Sequence, residues 1–386
     1  MRIPFLGTLA AGLVASTFAL GVQAAEPIKI VALYNLTGGM SSLDQPSLNG
    51  AKLQAKMIND AGGLLGGRMI EVVPIDTKTD QKETATAAKR AVGMEDVTAG
   101  IGYSDTTFVL AAAPLFQDAG IPFVTSGATS PLLPEMVGDM LFLVPFGDNI
   151  QAYAMAEYVY NTMGIHDVVV WTDNGMDYTT GLSKYFQERF EKLGGNIVLN
   201  DVFLTGDRDF SAQVARLQAN QDKAGAVFVA AGPDEAGIIV KQIREAGIDM
   251  PILGGDGFDT PLVGSVPGED LANDVYFTTH AYADLESEAI KTFQQGYKEA
   301  YGTDPENAFA ALGYDAVGLL ADAIKRAGST DHEKLRDALA STDGYEGVTG
   351  TISYENGSRV PLKTVAVMKV ENGDFSLVTT MTPSAE

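Results

Sequence analysis

The sequence predicts an α/β fold built from two doubly wound lobes, each a parallel sheet with helices on both faces. Short apolar runs alternate with amphipathic stretches, and this alternation restarts near residue 167. The apolar runs show no inside/outside alternation, which is typical of parallel strands that are buried on both faces. Repeated strand–helix units of this kind place helices on both sides of a sheet. A length of 386 residues suits two such units.

The first lobe is predicted between about residues 26 and 145. Its strands are apolar runs, and its helices have apolar residues at helical spacing with glycine stop signals such as Gly62-Gly63. The predicted strands are 28–34, 69–75, 99–103 and 121–125. The predicted helices are 46–60, 81–94 and 106–118.

The second lobe is predicted between about residues 147 and 278 by the same signals, with Gly194-Gly195 ending one helix. Its strands are 167–171, 196–203, 225–231 and 251–255, and its helices are 179–193, 209–219 and 234–246. The less regular remainder predicts helices 285–301, 309–327 and 331–341 and strands 348–354 and 364–370.

Composition excludes several classes of protein. The sequence has no Cys, so it has no disulfide, thiolate metal site or Cys nucleophile. It has 26 Lys and Arg against 50 Asp and Glu, which argues against a nucleic-acid partner because phosphate binding needs a positive surface. Hydrophobic residues make up 46% of the chain and charged residues 20%, which is enough apolar material for packed cores.

Residues 1–24 have the pattern of a cleavable secretory signal. Arg2 precedes an apolar stretch that ends in Val22-Gln23-Ala24, a small-x-small cleavage site. A transmembrane anchor is the weaker reading, because the stretch is short and is broken by Pro4 and two glycines. The mature protein is expected to begin near residue 25 and not to insert into the membrane.

Signals for catalysis are absent. The three histidines, His166, His280 and His332, lie outside nucleophile or metal spacings, and we interpret them as loop or surface residues. The sequence has no G-x-S-x-G elbow, no phosphate-binding P-loop and no dinucleotide-binding G-x-G-x-x-G after its first strand. We therefore expect a protein that is not an enzyme and that needs no metal or cofactor.

The chain from residue 28 onward resembles the periplasmic leucine/isoleucine/valine-type solute-binding proteins of ABC importers, which have the type I periplasmic binding protein fold. Several short motifs carry the resemblance in order along the chain. They are LTG at 36–38, LNGAKL at 48–53, INDAGGLLGGR at 58–68, AAP at 112–114, GIP at 120–122, SGAT at 126–129, DRDF at 207–210, ARL at 215–217 and GYDA at 313–316.

The resemblance implies that the chain crosses between the lobes three times and that the lobes close on a ligand by a hinge. The crossings are expected near residues 145–146, 278–279 and 354–355. Residues 25–145 and 280–354 then form the N-terminal lobe, and residues 146–279 and 355–386 form the C-terminal lobe.

The implied function is binding a small amino acid, aliphatic or branched-chain, in the cleft and delivering it to a membrane permease. The implied location is the periplasm of a Gram-negative bacterium, and the implied state is a monomer. Two alternatives stay open: a ligand-sensing receptor module of the same fold, and a binder of a carboxylate or amide that is not an amino acid.

The resemblance also implies a set of ligand contacts. The ligand carboxylate is held by hydroxyl groups of Ser104, Thr107 and Thr129 and by the backbone of Ala128. The loop that carries Ser104 and Thr107 and the loop that carries Ala128 and Thr129 both open helices. The N-terminal N–H groups of a helix favour an anion. Simple helix capping is the alternative role for Ser104 and Thr129.

The implied ammonium acceptor is Asp256, with Tyr178 beside it in the cleft. The side-chain pocket is expected to draw on apolar and aromatic residues, namely Leu43, Tyr103, Phe258 and Phe309. Core packing is the alternative role for Phe309. Residues 230–233 are small where some relatives carry a tyrosine, so the resemblance leaves room for a bulkier ligand or for a carboxylate of another kind.

Overall fold

The computed structural model describes Met1 and residues 26–280 and 287–383. The predicted signal segment 1–24 therefore lies outside the described residues, apart from Met1. Within them the α/β class is confirmed, because parallel strands alternate with helices through most of the chain.

In the described ranges, the first sheet has five parallel strands in the order β2-β1-β3-β4-β5. They are β1 (Ile28–Tyr34), β2 (Ile70–Asp76), β3 (Val97–Gly102), β4 (Phe123–Thr125) and β5 (Leu141–Leu143). Every residue of β3 is buried, as expected for a central strand with helices on both faces. Strand β5 was not predicted, since it is only three residues long.

The helices of this lobe include α1 (Ser41–Asp60), α2 (Gln81–Val92), α3 (Thr106–Asp118) and α4 (Leu133–Val137). Asp80 and Asp105 cap α2 and α3 with their side chains. The prediction that the first helix begins at residue 46 was wrong, because Pro46 lies inside α1. Pro46 has no N–H to donate to the carbonyl of Ser42. That carbonyl instead accepts a hydrogen bond of 2.9 Å from the side chain of Asn307.

The second sheet has seven strands among the described residues, in the order β14-β13-β10-β9-β8-β6-β7. Five run parallel to one another: β6 (Asp167–Asp173), β7 (Asn196–Phe203), β8 (Ala226–Ala230), β9 (Ile252–Gly254) and β10 (Val275–Thr279). The antiparallel pair β13 (Val365–Glu371) and β14 (Asp374–Met381) extends the sheet next to β10.

Helices α5 (Asp148–Glu157), α6 (Asp177–Lys192), α7 (Ser211–Gln218), α8 (Pro233–Glu245) and α9 (Leu262–Ser265) flank this sheet. Helix α5 continues into a π-helical turn, Tyr158–Thr162. Helix α5, β10 and β14 were not predicted from the sequence. The other predicted strands and helices of this lobe are present, with ends that differ by one or two residues.

The chain then returns to the first lobe as α10 (Glu288–Tyr301), α11 (Ala308–Ala327) and α12 (His332–Ala340). The predicted strand 348–354 was wrong, because this region forms a hairpin of β11 (Tyr345–Gly347) and β12 (Gly350–Ile352). The turn is fixed by the buried carboxylate of Asp315, which accepts hydrogen bonds of 2.8 Å from the N–H groups of Val348 and Thr349.

Helices α1 and α11 pack with their backbones in direct contact. A Cβ atom on Gly50 of α1 would lie 1.8 Å from the carbonyl oxygen of Ala310 in α11. A Cβ atom on Gly313 of α11 would lie 1.8 Å from the carbonyl oxygen of Ser47 in α1. Both glycines belong to motifs singled out in the sequence, so those motifs mark a helix–helix contact.

The chain passes between the two sheets three times, after β5, after β10 and after β12. The first and third connections touch each other, because the buried Lys363 donates a hydrogen bond of 3.2 Å to the carbonyl of Val144. The lobe boundaries at residues 145, 279 and 354 stay predictions. No helix among the described residues is long and apolar enough to cross a bilayer.

Candidate functional site

The two lobes enclose a small cavity next to the loops that follow β3 and β9. Its lining is mostly apolar and includes three polar side chains, a serine, a tyrosine and an aspartate. The lining residues are Met40, Leu43, Ser104, Met176, Tyr178, Gly232, Pro233, Asp256, Gly257 and Phe309, and the space that they leave free in this conformation is about 10 Å³. That space holds about one water molecule in this conformation. The chemistry of the lining, apolar side chains with a few polar groups, matches a small ligand that has an apolar body and polar groups.

Ser104 supplies the hydroxyl group from the first lobe. Its N–H donates to Asp44 at 2.9 Å, and Asp44 also accepts from the N–H of Asn35 at 2.6 Å. Burial raises the pKa of Asp44 to about 7, although the hydrogen bonds oppose the shift. The Ser104 hydroxyl oxygen is buried beside the Asp44 carboxyl group and makes no hydrogen bond of normal geometry within the described part of the chain. It is therefore available to a ligand.

The other three groups predicted to hold a carboxylate already have protein partners. The Thr107 hydroxyl accepts from the N–H of Asp177 at 2.9 Å, a contact between the two lobes. The N–H of Ala128 donates to the Thr125 hydroxyl at 3.1 Å. The Thr129 hydroxyl forms a hydrogen bond with the Asp148 carboxyl group, which opposes the rise of the Asp148 pKa on burial. In this conformation Ser104 is the member of the predicted set that lines the cavity.

Asp256 supplies the carboxylate from the second lobe, at the start of a 3₁₀ turn after β9. It is 2% exposed. One oxygen accepts from the side-chain amide of Gln151 at 2.9 Å, and the other lies 3.0 Å from Nε2 of His280. A buried carboxylate with neutral neighbours in an apolar cavity favours a cationic group on the ligand.

Tyr178 lies beside Asp256, as predicted for a cleft tyrosine. Its hydroxyl oxygen accepts a hydrogen bond of 3.0 Å from the N–H of Gly257. Burial raises the pKa of Tyr178 well above its usual value, and the Asp256 and Asp148 carboxylates add to the shift. The phenol is therefore protonated at neutral pH and can donate to the neighbouring carboxylate.

Tyr103 and Phe258 do not line this cavity, and their place in the ligand pocket stays a prediction. The backbone of Tyr103 has a positive φ of 60°, and its ring lies in the core of the first lobe between Phe108 and Phe123. Phe258 packs in the core of the second lobe, against β9, where a Cβ atom on Gly254 would lie 2.6 Å from its ring. Both side chains therefore pack in the cores of their lobes.

Sequence reasoning missed the residues that hold Asp256 in place. His280 was interpreted as a loop or surface histidine, but its side chain is 1% exposed and touches Asp256. Gln151 lies on α5, which was not predicted. The sequence carried one signal for His280, which is its position directly after a run of β-branched and aromatic residues, 275–279.

A second, wider groove also lies between the two lobes. It is lined by Gly38 and Gly39 of the first lobe and by Arg208 and Asp234 of the second. Arg208, from the DRDF motif, donates to the carbonyl of Asp234 at 3.1 Å and forms an ion pair with its carboxylate. The described residues include no group of three or more His, Asp or Glu that could hold a metal ion.

Comparison with known proteins agrees with this architecture. Residues 27–374 match the family model described as "Periplasmic binding protein", so the chain belongs to that family. The chain is 26% identical over 352 residues to the leucine-, isoleucine-, valine-, threonine- and alanine-binding protein of Pseudomonas aeruginosa, covering 91% of each chain.

Two solved structures are similar over nearly their whole length. One is a leucine-binding protein, LivK, from Thermotoga maritima, with 34% identity and a TM-score of 0.85 over 92% of this chain and 99% of that one. The other is LivJ of Streptococcus pneumoniae, a branched-chain amino acid transporter substrate-binding protein in complex with isoleucine. It has 33% identity and a TM-score of 0.85, with the same coverage. The likeness supports the type I periplasmic binding fold for this chain.

Proposed function

We propose that this protein is the solute-binding component of an ABC importer and captures an aliphatic amino acid between its two lobes. The carrying observation is the cavity between the lobes, whose lining combines a hydroxyl group of the first lobe, a carboxylate of the second and apolar side chains of both. An amino acid presents the matching groups, namely a carboxylate, an ammonium group and an apolar side chain. The names of the relatives point to the same class of ligand.

In this proposal each lobe recognises one charged end of the ligand. The hydroxyl of Ser104 donates to the carboxylate, while Asp256 accepts from the ammonium group. The side chain packs against Met40, Leu43 and Phe309. Recognition at both ends selects for amino acids, because a ligand that lacks the ammonium group leaves a buried carboxylate without a cationic partner.

Closure of the lobes completes the site. Hydrogen bonds outside the cavity also bridge the lobes. Among them are those that join Thr107 to Asp177, Ser42 to Thr260, and the N–H of Ala308 to Asp259, at 2.9, 3.0 and 3.0 Å. Bound ligand adds contacts that only the closed state offers, so it shifts the population toward closure. A permease partner and a periplasmic location belong to this proposal as well.

Calorimetric titration of the mature chain against a panel of amino acids tests the ligand class. The panel includes leucine, isoleucine, valine, alanine, glutamate and lysine, together with 4-methylpentanoate, which is leucine without its amino group. We expect binding of one or more aliphatic amino acids and weaker binding of glutamate and lysine, whose charged side chains would enter an apolar wall. Absence of heat with every amino acid at micromolar protein concentration would contradict the proposal.

A further inference from the structure

Three side chains from three different elements hold the carboxylate of Asp256. Gln151 of α5 uses all of its hydrogen-bonding capacity here. Its amide nitrogen donates to Asp256 and Asp148 at 2.9 and 3.0 Å, and its oxygen accepts from the Asp256 N–H and the Thr278 hydroxyl at 3.1 and 3.0 Å. Tyr178 of α6 is the second of these side chains. The third is His280, at the end of β10.

His280 is enclosed on all sides. Its ring stacks on Phe146 with centroids 3.9 Å apart, and Phe309, a residue of the cavity wall, meets its edge at 6.2 Å. Nε2 faces Asp256, while Nδ1 is buried and has no partner among the described residues. Because the carboxylate can only accept, Nε2 carries the proton and Nδ1 holds the lone pair of a neutral imidazole.

The charged groups around this imidazole oppose one another. Asp256 is in direct contact, and Asp148 is linked to it through Gln151. Asp259 accepts from the neighbouring Thr279, and Lys363 acts on His280 as a positive charge. Burial lowers the pKa of His280, Asp256 raises it and Lys363 lowers it again, with a net shift downward. The neutral form therefore prevails at neutral pH.

We propose that neutral His280 is a positioning residue for the ligand ammonium: it orients the Asp256 carboxylate by one N–H bond and leaves the negative charge to the ligand. This inference rests on the proposed function. A protonated imidazole would neutralise the same carboxylate and place a cation next to the ammonium site. Amino acid binding and protonation of His280 then exclude each other.

This mutual exclusion predicts the direction in which ligand affinity changes with pH. Below the pKa of His280 in the unliganded protein, binding must release a proton, and amino acid affinity falls by up to about tenfold for each pH unit. A carboxylate without an amino group feels the opposite effect, since a protonated His280 reduces the negative charge that it meets. A purely structural role for His280 would change both ligands alike.

The test is titration of the mature protein between about pH 5 and about pH 8, in buffers of different ionisation enthalpy. Leucine and 4-methylpentanoate are the probes, or the tightest amino acid of the panel and its desamino analogue. We expect proton release and weaker binding toward low pH for the amino acid only. The variant H280Q keeps a neutral donor and should show neither effect, whereas H166Q, at an exposed histidine, should behave like the wild type.

The outcomes separate this inference from the proposed function. If the wild type binds no amino acid, the proposed function fails. If it binds one but releases no proton, or if H280Q retains the proton release of the wild type, the role of His280 is overturned. The comparison of the two ligands in the wild type decides the question even if H280Q does not fold.

Discussion

At the scale of single residues, Asp256 provides the sharpest test of ligand recognition. Substitution by Asn keeps the volume but removes the charge and replaces one of the two accepting oxygens by an amide nitrogen that donates. We expect D256N to weaken amino acid binding by about 30-fold or more, since loss of one partner of a buried charge pair costs about 2 kcal/mol or more. Binding of the desamino analogue should fall far less. Calorimetry with both ligands measures the difference.

The matched control is D222N, which removes a carboxylate from an exposed position. It should bind like the wild type. Equal losses for the amino acid and its desamino analogue in D256N would show that Asp256 does not receive the ammonium group.

The sequence could locate Ser104 and Asp256, because polar residues that follow parallel strands lie at the edge where ligands bind. It could not show that the rings of Tyr103 and Phe258 pack in the lobe cores. The direction of a loop side chain depends on backbone angles, and sequence spacing does not report them. His280 was missed for a related reason. Its burial depends on Phe146 and Phe309, which are 134 residues before it and 29 residues after it.

At the scale of secondary-structure elements, the contact between α1 and α11 depends on two glycines. In G313A the new methyl group would lie 1.8 Å from the carbonyl oxygen of Ser47, so the helices must move apart. Overpacking of this kind costs about 1–3 kcal/mol. We expect a lower midpoint in thermal unfolding followed by circular dichroism, by about 2 to 10 °C.

Helix α10 supplies the control for this prediction. In G296A the nearest atom to the new methyl group is a Leu53 side-chain carbon at 3.6 Å, an ordinary contact. Alanine is favoured over glycine inside a helix by about 0.5–1 kcal/mol. G296A should therefore match or exceed the wild type in stability, and a G313A midpoint equal to that of G296A would contradict the packing argument.

Elements in which apolar residues recur with a clear period were predicted from the sequence. Elements that are short or lack such a period were not. Helix 106–118 and strand 196–203 were found at their observed ends. Strand β5 is too short to show a period, and seven of the ten residues of α5 are buried, so α5 lacks a polar face. The hairpin at 345–352 was taken for one strand, because its turn is fixed by Asp315, a residue distant in sequence.

At the scale of the whole molecule, buried carboxyl groups near the cleft link stability to pH. Burial raises the pKa of Asp44 and Asp105 to about 7 and that of Asp259 to about 6, and it raises the pKa of Asp148 as well. These groups bind protons more tightly in the folded protein than in the unfolded chain. Stability is therefore expected to fall as pH rises from about 5 through about 7.

The melting temperature of the ligand-free mature protein, measured in buffers from about pH 5.5 to about pH 8, checks this sign. We expect a decrease of several degrees across the range. The net charge of −24 acts in the same direction, because partial protonation reduces self-repulsion. His280 opposes the trend at the acidic end, since its pKa is lowered. A melting temperature that rises toward pH 8 would contradict the prediction.

The division into two α/β units was predictable because the alternation of strands and helices restarts along the chain. The order of the crossings was not contained in that pattern. It followed from resemblance to a family, because the returning helices have no local feature that assigns them to the first sheet.

The packing of α11 on α1 also bears on the order in which the chain can fold. The two helices are separated by about 250 residues, and the whole second sheet except β13 and β14 is encoded between them. The first lobe therefore cannot complete its core until nearly the entire polypeptide is present, and long loop closures of this kind slow folding. During synthesis from the N-terminus, the first lobe stays incomplete while the second lobe is made. In that period the face of α1 that carries Gly50 lacks its partner helix α11.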